Sequence, residues 1–132
     1  MMKLVVAVLT VLMSMVLFGC QSSIIAEDYE SDVYTEEQLA AAVNVITDTF
    51  ANDFPQCTLQ EIEYDEDYSE SLEEMNKEMY AVDNAVVFTS TFVVDDDYES
   101  GPLNAGMVYE DYEWTLTMDA DGNWTLITCG YQ

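Results

Sequence analysis

The chain carries 27 acidic residues against 2 basic ones, a formal net charge of −25. Any fold it adopts must form against that self-repulsion. High net charge alone would suggest disorder. The apolar content argues the other way: 50% of the residues are hydrophobic, and the aromatic ones fall in patterned segments. We therefore expect one folded domain of about 100 residues. All the acids lie from Glu27 onward. Such a surface repels phosphate backbones, which excludes nucleic acid as a partner. It also repels anionic lipid headgroups. A partner is expected to be cationic or neutral.

The strongest pattern runs from Asn84 to Val94. Val86, Phe88, Ser90, Phe92 and Val94 share one side, and Val87, Thr89, Thr91 and Val93 the other, which predicts a strand. A second strand is predicted over 107–118, where Tyr112, Trp114, Leu116 and Met118 alternate with polar neighbours. Asp119–Asn123 reads as a turn, and 124–131 as the last strand. Upstream, Thr35 and Gln38 form a capping-box pattern. Leu39, Ala42, Val43, Ile46, Phe50 and Phe54 follow at helical spacing until Pro55, which bars continuation. That predicts a helix of about 18 residues whose apolar stripe must be buried, most simply on a sheet. Cys57–Tyr64 reads as a short strand, although Leu59 is out of step with Ile62 and Tyr64. Ser71–Glu74 is a second capping-box pattern, and Leu72, Met75 and Met79 predict a short second helix.

The first nineteen residues are different. Lys3 precedes an almost wholly apolar run to Phe18. A cationic start, about 15 apolar residues and a small residue before a break describe a secretory signal peptide. A spanning helix would want roughly 20 apolar residues; an uncleaved N-terminal anchor is the alternative. Leu17, Gly19 and Cys20 resemble the lipobox of bacterial lipoproteins. The resemblance implies that residues 1–19 are removed and that the Cys20 thiol is lipidated. It implies attachment to the extracytoplasmic side of a bacterial cell membrane. Loss of Lys3 would leave Lys77 as the one base against 27 acids, a net charge of −26. Residues 20–34 read as a lipidated tether, with an extra strand or helical turn packed on the domain as the alternative. Residues 35–132 read as the domain.

The predicted order is helix, strand, short helix, then three antiparallel strands. This is an α+β fold, with one long N-terminal helix packed on a curved four-stranded antiparallel sheet. With "FPQCTL" after the helix and the closing "GNWTLITCGY", the order resembles the cystatin-like and NTF2-like group. In NTF2-like sheets the first strand commonly pairs with the last, which here implies the order 1-4-3-2. That order would bring Cys57 to Cys129. A bridge between them would close a loop of about 70 residues and contribute about 2–4 kcal/mol. Two free buried thiols remain the alternative.

Little catalytic chemistry is open to this composition. The chain has no His, which removes His-dependent proton shuttles, nucleophile pairs and zinc sites. There is no glycine-rich phosphate cradle. Carboxylates abound, but no motif marks a catalytic pair. Asp119–Asn123 briefly resembles a calcium loop, yet Gly122 is fourth rather than sixth and no Glu follows at the twelfth position. A hairpin turn is the expected reading. Neither a metal site nor a cofactor is predicted. The leading expectation is a non-catalytic lipoprotein domain that offers its sheet face or acidic rim to a partner. A small-molecule carrier or pocket enzyme of NTF2-like shape is the alternative, and a structural envelope component is a third. A roomy apolar cavity between helix and sheet would favour the carrier. A space filled by Phe50, Phe88, Phe92 and Trp114 would favour the binding domain.

Replacing Cys20 with Ala is expected to abolish incorporation of labelled fatty acid. Labelling that persists in this variant would remove the lipoprotein assignment.

Overall fold

A computed structural model describes residues 29–131. Cys20, the signal segment and residues 21–28 of the tether lie outside the described residues. Six elements follow in order: α1 (Glu36–Asp53), β1 (Cys57–Glu63), α2 (Glu66–Tyr80), β2 (Val86–Val94), β3 (Val108–Met118) and β4 (Trp124–Gly130). Over these residues the architecture is α+β, with two helices and one antiparallel sheet of four strands. The strands lie in the order β1-β2-β3-β4, not 1-4-3-2. Each strand pairs with its sequence neighbour, so β1 and β4 are opposite edges. Among the described residues no helix is long and apolar enough to cross a membrane.

The start of α1 follows from its capping box. Gln38 N–H donates to the Thr35 hydroxyl at 3.1 Å, and Thr35 N–H donates to Gln38 Oε1 at 2.9 Å. Glu36 and Glu37 occupy the first turn, where the helix dipole favours negative charge. Leu39, Ala42, Val43, Ile46 and Phe50 are buried. They pack with Leu59, Ile62, Val86, Phe88, Phe92, Val94, Trp114 and Leu116 of the sheet. At the end of α1, Phe50 and Phe54 stack at 4.8 Å, and both meet Phe92 edge-on, at 5.4 and 5.5 Å. Ser90 sits among these apolar side chains as an adaptor. Its hydroxyl accepts from Trp114 Nε1 at 2.8 Å and donates to the Tyr112 carbonyl at 3.2 Å.

The second helix begins earlier than the Ser71 pattern indicates. Asp65 is the N-cap, its carboxylate accepting from Tyr68 N–H. Ser71 instead donates to the Tyr68 carbonyl at 2.6 Å. The Asp65 cap adds a first turn that carries Tyr68 and Ser69 into contact with the sheet. Pairing of β1 with β2 ends at Glu63 and Thr89. Beyond it, Val87 N–H donates to the Ser69 hydroxyl at 3.0 Å. The helix thus covers a stretch of β2 edge that β1 leaves unpaired, where an open edge would invite strand addition.

Tyr29, inside the segment that sequence assigned to the tether, packs on the sheet. The Tyr29 hydroxyl donates to the Ile62 carbonyl at 2.9 Å, and its ring meets Phe88 edge-on at 6.0 Å. Glu66 holds the next turn by accepting from Asp32 N–H at 2.9 Å and from the Ser31 hydroxyl. These bonds, the Asp32 amide foremost, hold the Glu66 carboxyl below its ordinary range. Tyr34 then leans on Trp124 at 5.6 Å.

Thr115 is fully buried in β3, and its hydroxyl has no hydrogen-bond partner. An orphaned buried hydroxyl is costly. Thr115→Val keeps the branched shape and should stabilise the fold by about 1 kcal/mol. The expected readout is a melting temperature raised by about 4–8 °C; a lowered one would mean that the hydroxyl has a partner in solution.

Candidate functional site

The side of the sheet facing α1 is filled. Phe88, Phe92 and Trp114 are fully buried and Phe50 nearly so. They occupy the volume where a carrier pocket would have to lie. The recesses that matter are on the opposite face and at the adjoining β1 edge.

Two bulges build that face. In β1, Leu59 pairs with Phe92 and Glu61 with Thr91, so Gln60 is the extra residue. In β3, Tyr112 pairs with Ser90 and Tyr109 with Phe92, so Glu110 and Asp111 together oppose Thr91. Asp111 takes φ 57°, a left-handed conformation that Asp tolerates better than most residues. A bulge re-aims side chains and is over-represented near sites. Here the two bulges flank one residue, Thr91. They turn Glu61 and Glu63 from one side, and Glu110 and Asp111 from the other, into a cleft of ≈ 200 Å³ floored by Thr89 and Thr91. Glu61 and Glu63 also line an adjoining cleft of ≈ 540 Å³, with Tyr29, Glu30, Tyr64, Asp65 and Glu66.

Among the described residues, no basic side chain lines either cleft. Lys77, the one base among the described residues, pairs with Glu74 on α2 at 3.3 Å. Carboxylates gathered this closely make a strong local negative potential, which concentrates cations. Among the described residues, however, no group of three or more acids or thiols is placed to hold a metal ion.

Beside the cleft, Glu113 is a polar residue that sequence reasoning missed. It projects from β3 opposite Thr89 and is only 7% exposed. Its Oε2 accepts from the Tyr68 hydroxyl of α2, and its Oε1 has no partner. The bond to Glu113, then desolvation, push the Tyr68 phenol up to about 12. A Tyr–carboxylate pair thus exists, but it sits at the base of a helix rather than in an apolar pocket. No sequence motif could have paired residues 45 positions apart.

Cys57 and Cys129 do not converge. Cys57 opens β1 and Cys129 closes β4, with β2 and β3 between them. Three inter-strand steps of about 4.8 Å separate these edges by about 14 Å, whereas a bridge needs Cα atoms within about 7 Å. Both thiols are free, which corrects the bridge that the 1-4-3-2 order implied. Burial, and then Asp95, push the Cys57 thiol up, so it stays protonated. Cys129 accepts a long contact from the Tyr112 hydroxyl at 3.8 Å.

The segment that resembles a calcium loop is a turn. Asp119 Oδ1 accepts from the Asp121 and Asn123 N–H groups, both at 2.9 Å, and Gly122 takes φ 87°. Its carboxylate is thus engaged by its own backbone.

Comparisons with protein-family models, with curated proteins and with solved structures find no match.

The raised Tyr68 pKa favours the folded state while the phenol is protonated. That contribution is complete below the unfolded value near 10 and is lost as pH rises through about 12. NMR of isotope-labelled tyrosine should place the Tyr68 titration there. Glu113→Gln should bring it down towards 10; an unmoved titration would mean that Glu113 is not its cause.

Proposed function

We propose that this protein is a lipid-anchored, extracytoplasmic binding domain that captures a cationic partner on the outer face of its sheet. One observation carries the reading. The space between α1 and the sheet is packed solid, while the opposite face and the adjoining β1 edge hold two neighbouring clefts lined by carboxylates and, among the described residues, by no base. A carrier or pocket enzyme would need the reverse. Tyrosine–carboxylate pairs occur at Tyr68–Glu113 and, at 3.3 Å, at Tyr64–Glu66; no apolar recess accompanies the first, and the second opens on the carboxylate-lined cleft.

The anchoring part of the proposal rests on the apolar leader with Leu17, Gly19 and Cys20. Lipid attachment would hold a strongly anionic body at a bilayer that its own charge disfavours. We assign the fold to the cystatin-like and NTF2-like group on element order and on the layering of helix against sheet. The strand order departs from the NTF2-like expectation. Partner recognition by carboxylates alone would be fast, salt-sensitive and modest in affinity.

The lipidated protein in zwitterionic nanodiscs, titrated with spermine and with an oligolysine peptide, tests this. Binding should be clear at low salt and should weaken steeply as salt rises. Glu61→Gln with Glu110→Gln removes one charge from each side of Thr91. The double variant should bind oligolysine about tenfold more weakly. Equal binding by the wild type and the double variant would dismiss the cleft as the site.

A further inference from the structure

The second helix wears its apolar residues on the outside. Its buried residues are Ser69 and Asn76, and both polar atoms of the Asn76 side chain lack a partner. Tyr68, Met75 and Met79 are instead 41%, 46% and 60% exposed. With half-buried Leu72 they stand at i, i+4, i+7 and i+11, one narrow line along the helix. A parallel line of Asp67, Ser71, Glu74 and Glu78 runs beside it, each one residue earlier. Glu74 is occupied by Lys77; Asp67 and Glu78 are exposed. At the Tyr68 end, the Glu113 and Asp111 carboxyls of β3 stand close enough to raise the phenol pKa. The apolar line is therefore bordered by acids on α2 and, at one end, on β3.

We propose that this line is a docking surface for a basic amphipathic helix of a partner protein. The inference rests on the reading of the domain as a binder of cations, and gives that partner a shape. An apolar face would cover Tyr68, Leu72, Met75 and Met79, while Lys or Arg at its margin would meet Asp67, Glu78 and Asp111. Methionine suits such a surface because its unbranched thioether adapts to irregular partners. Charge argues against the other occupants. A second copy would bring the same acids together at a net charge of −25 per chain. An anionic bilayer would be repelled. A purely cationic molecule would leave Met75 and Met79 in water.

The probe is a synthetic helix of about five turns, with Leu on one face and Lys on the other. It is compared with oligolysine of equal charge, and both are titrated into the lipidated protein in zwitterionic nanodiscs, with empty nanodiscs as blank. The amphipathic helix should bind more tightly than oligolysine. Met75→Gln with Met79→Gln should weaken it about tenfold or more and leave oligolysine binding unchanged. Indifference of the amphipathic helix to this double variant overturns the proposal. If Glu61→Gln with Glu110→Gln still weakens oligolysine, the cleft reading survives that result. If neither peptide binds, both readings fall. Self-association, or binding to phosphatidylglycerol vesicles, that is lost in the methionine variant would also overturn the proposal in favour of those occupants.

Discussion

The aromatic clasp around Phe92 is what the rest of the structure depends on. Phe50 and Phe54 reach it from α1, Tyr109 stacks on it at 5.1 Å, and Tyr112 meets it edge-on at 5.3 Å. Tyr109 and Tyr112 are three positions apart, a spacing that regular alternation would put on opposite faces. The β3 bulge puts both rings on one face. The same irregularity turns Glu110 and Asp111 outward. Packing inside and carboxylates outside are thus two sides of one local distortion. Ion pairing contributes little, since the one salt bridge among the described residues is the exposed Lys77–Glu74 contact, and such pairs are worth little. The fold coheres through apolar burial and backbone hydrogen bonds, against its own charge.

Much of this was legible in the sequence where local chemistry alone decides. The Thr35–Gln38 box, the α1 stripe ending at Pro55, and the alternation through Val86–Val94 all name their own structures. The β1 bulge left a trace as well, because Leu59 and Ile62 are both buried three residues apart. That mismatch was the clue to an irregular strand. What sequence could not decide was pairing between distant segments. Strand order depends on which edges meet, and α2 occupies the β2 edge just beyond β1. The start of α2 was misplaced because Ser71 and Asp65 both offer plausible caps. Tertiary contact of Tyr68 and Ser69 with the sheet favours the earlier one. The clefts were invisible for the same reason: with 27 acids to choose from, only the register shows which of them gather.

The buried polar groups on the α2 side contrast with the α1 side. Ser90 in the aromatic core is fully engaged, bonded to Trp114 and Tyr112. Asn76, Thr115 and one oxygen of Glu113 are not. A layer with unmet polar atoms is held less firmly than one sealed by aromatic rings. The two faces of the sheet are therefore unequal: one locks the architecture, and the other holds the polar atoms left unmet inside the fold.

The stapling of residues 29–34 to Glu66 and Ile62 has a spatial consequence. Only eight residues lie between Cys20 and Tyr29, a leash of at most about 32 Å. If Cys20 carries the lipid, the cleft beside Tyr29 stays within that reach of the headgroups. A partner rooted in the same bilayer would then search for it across a plane instead of through a volume.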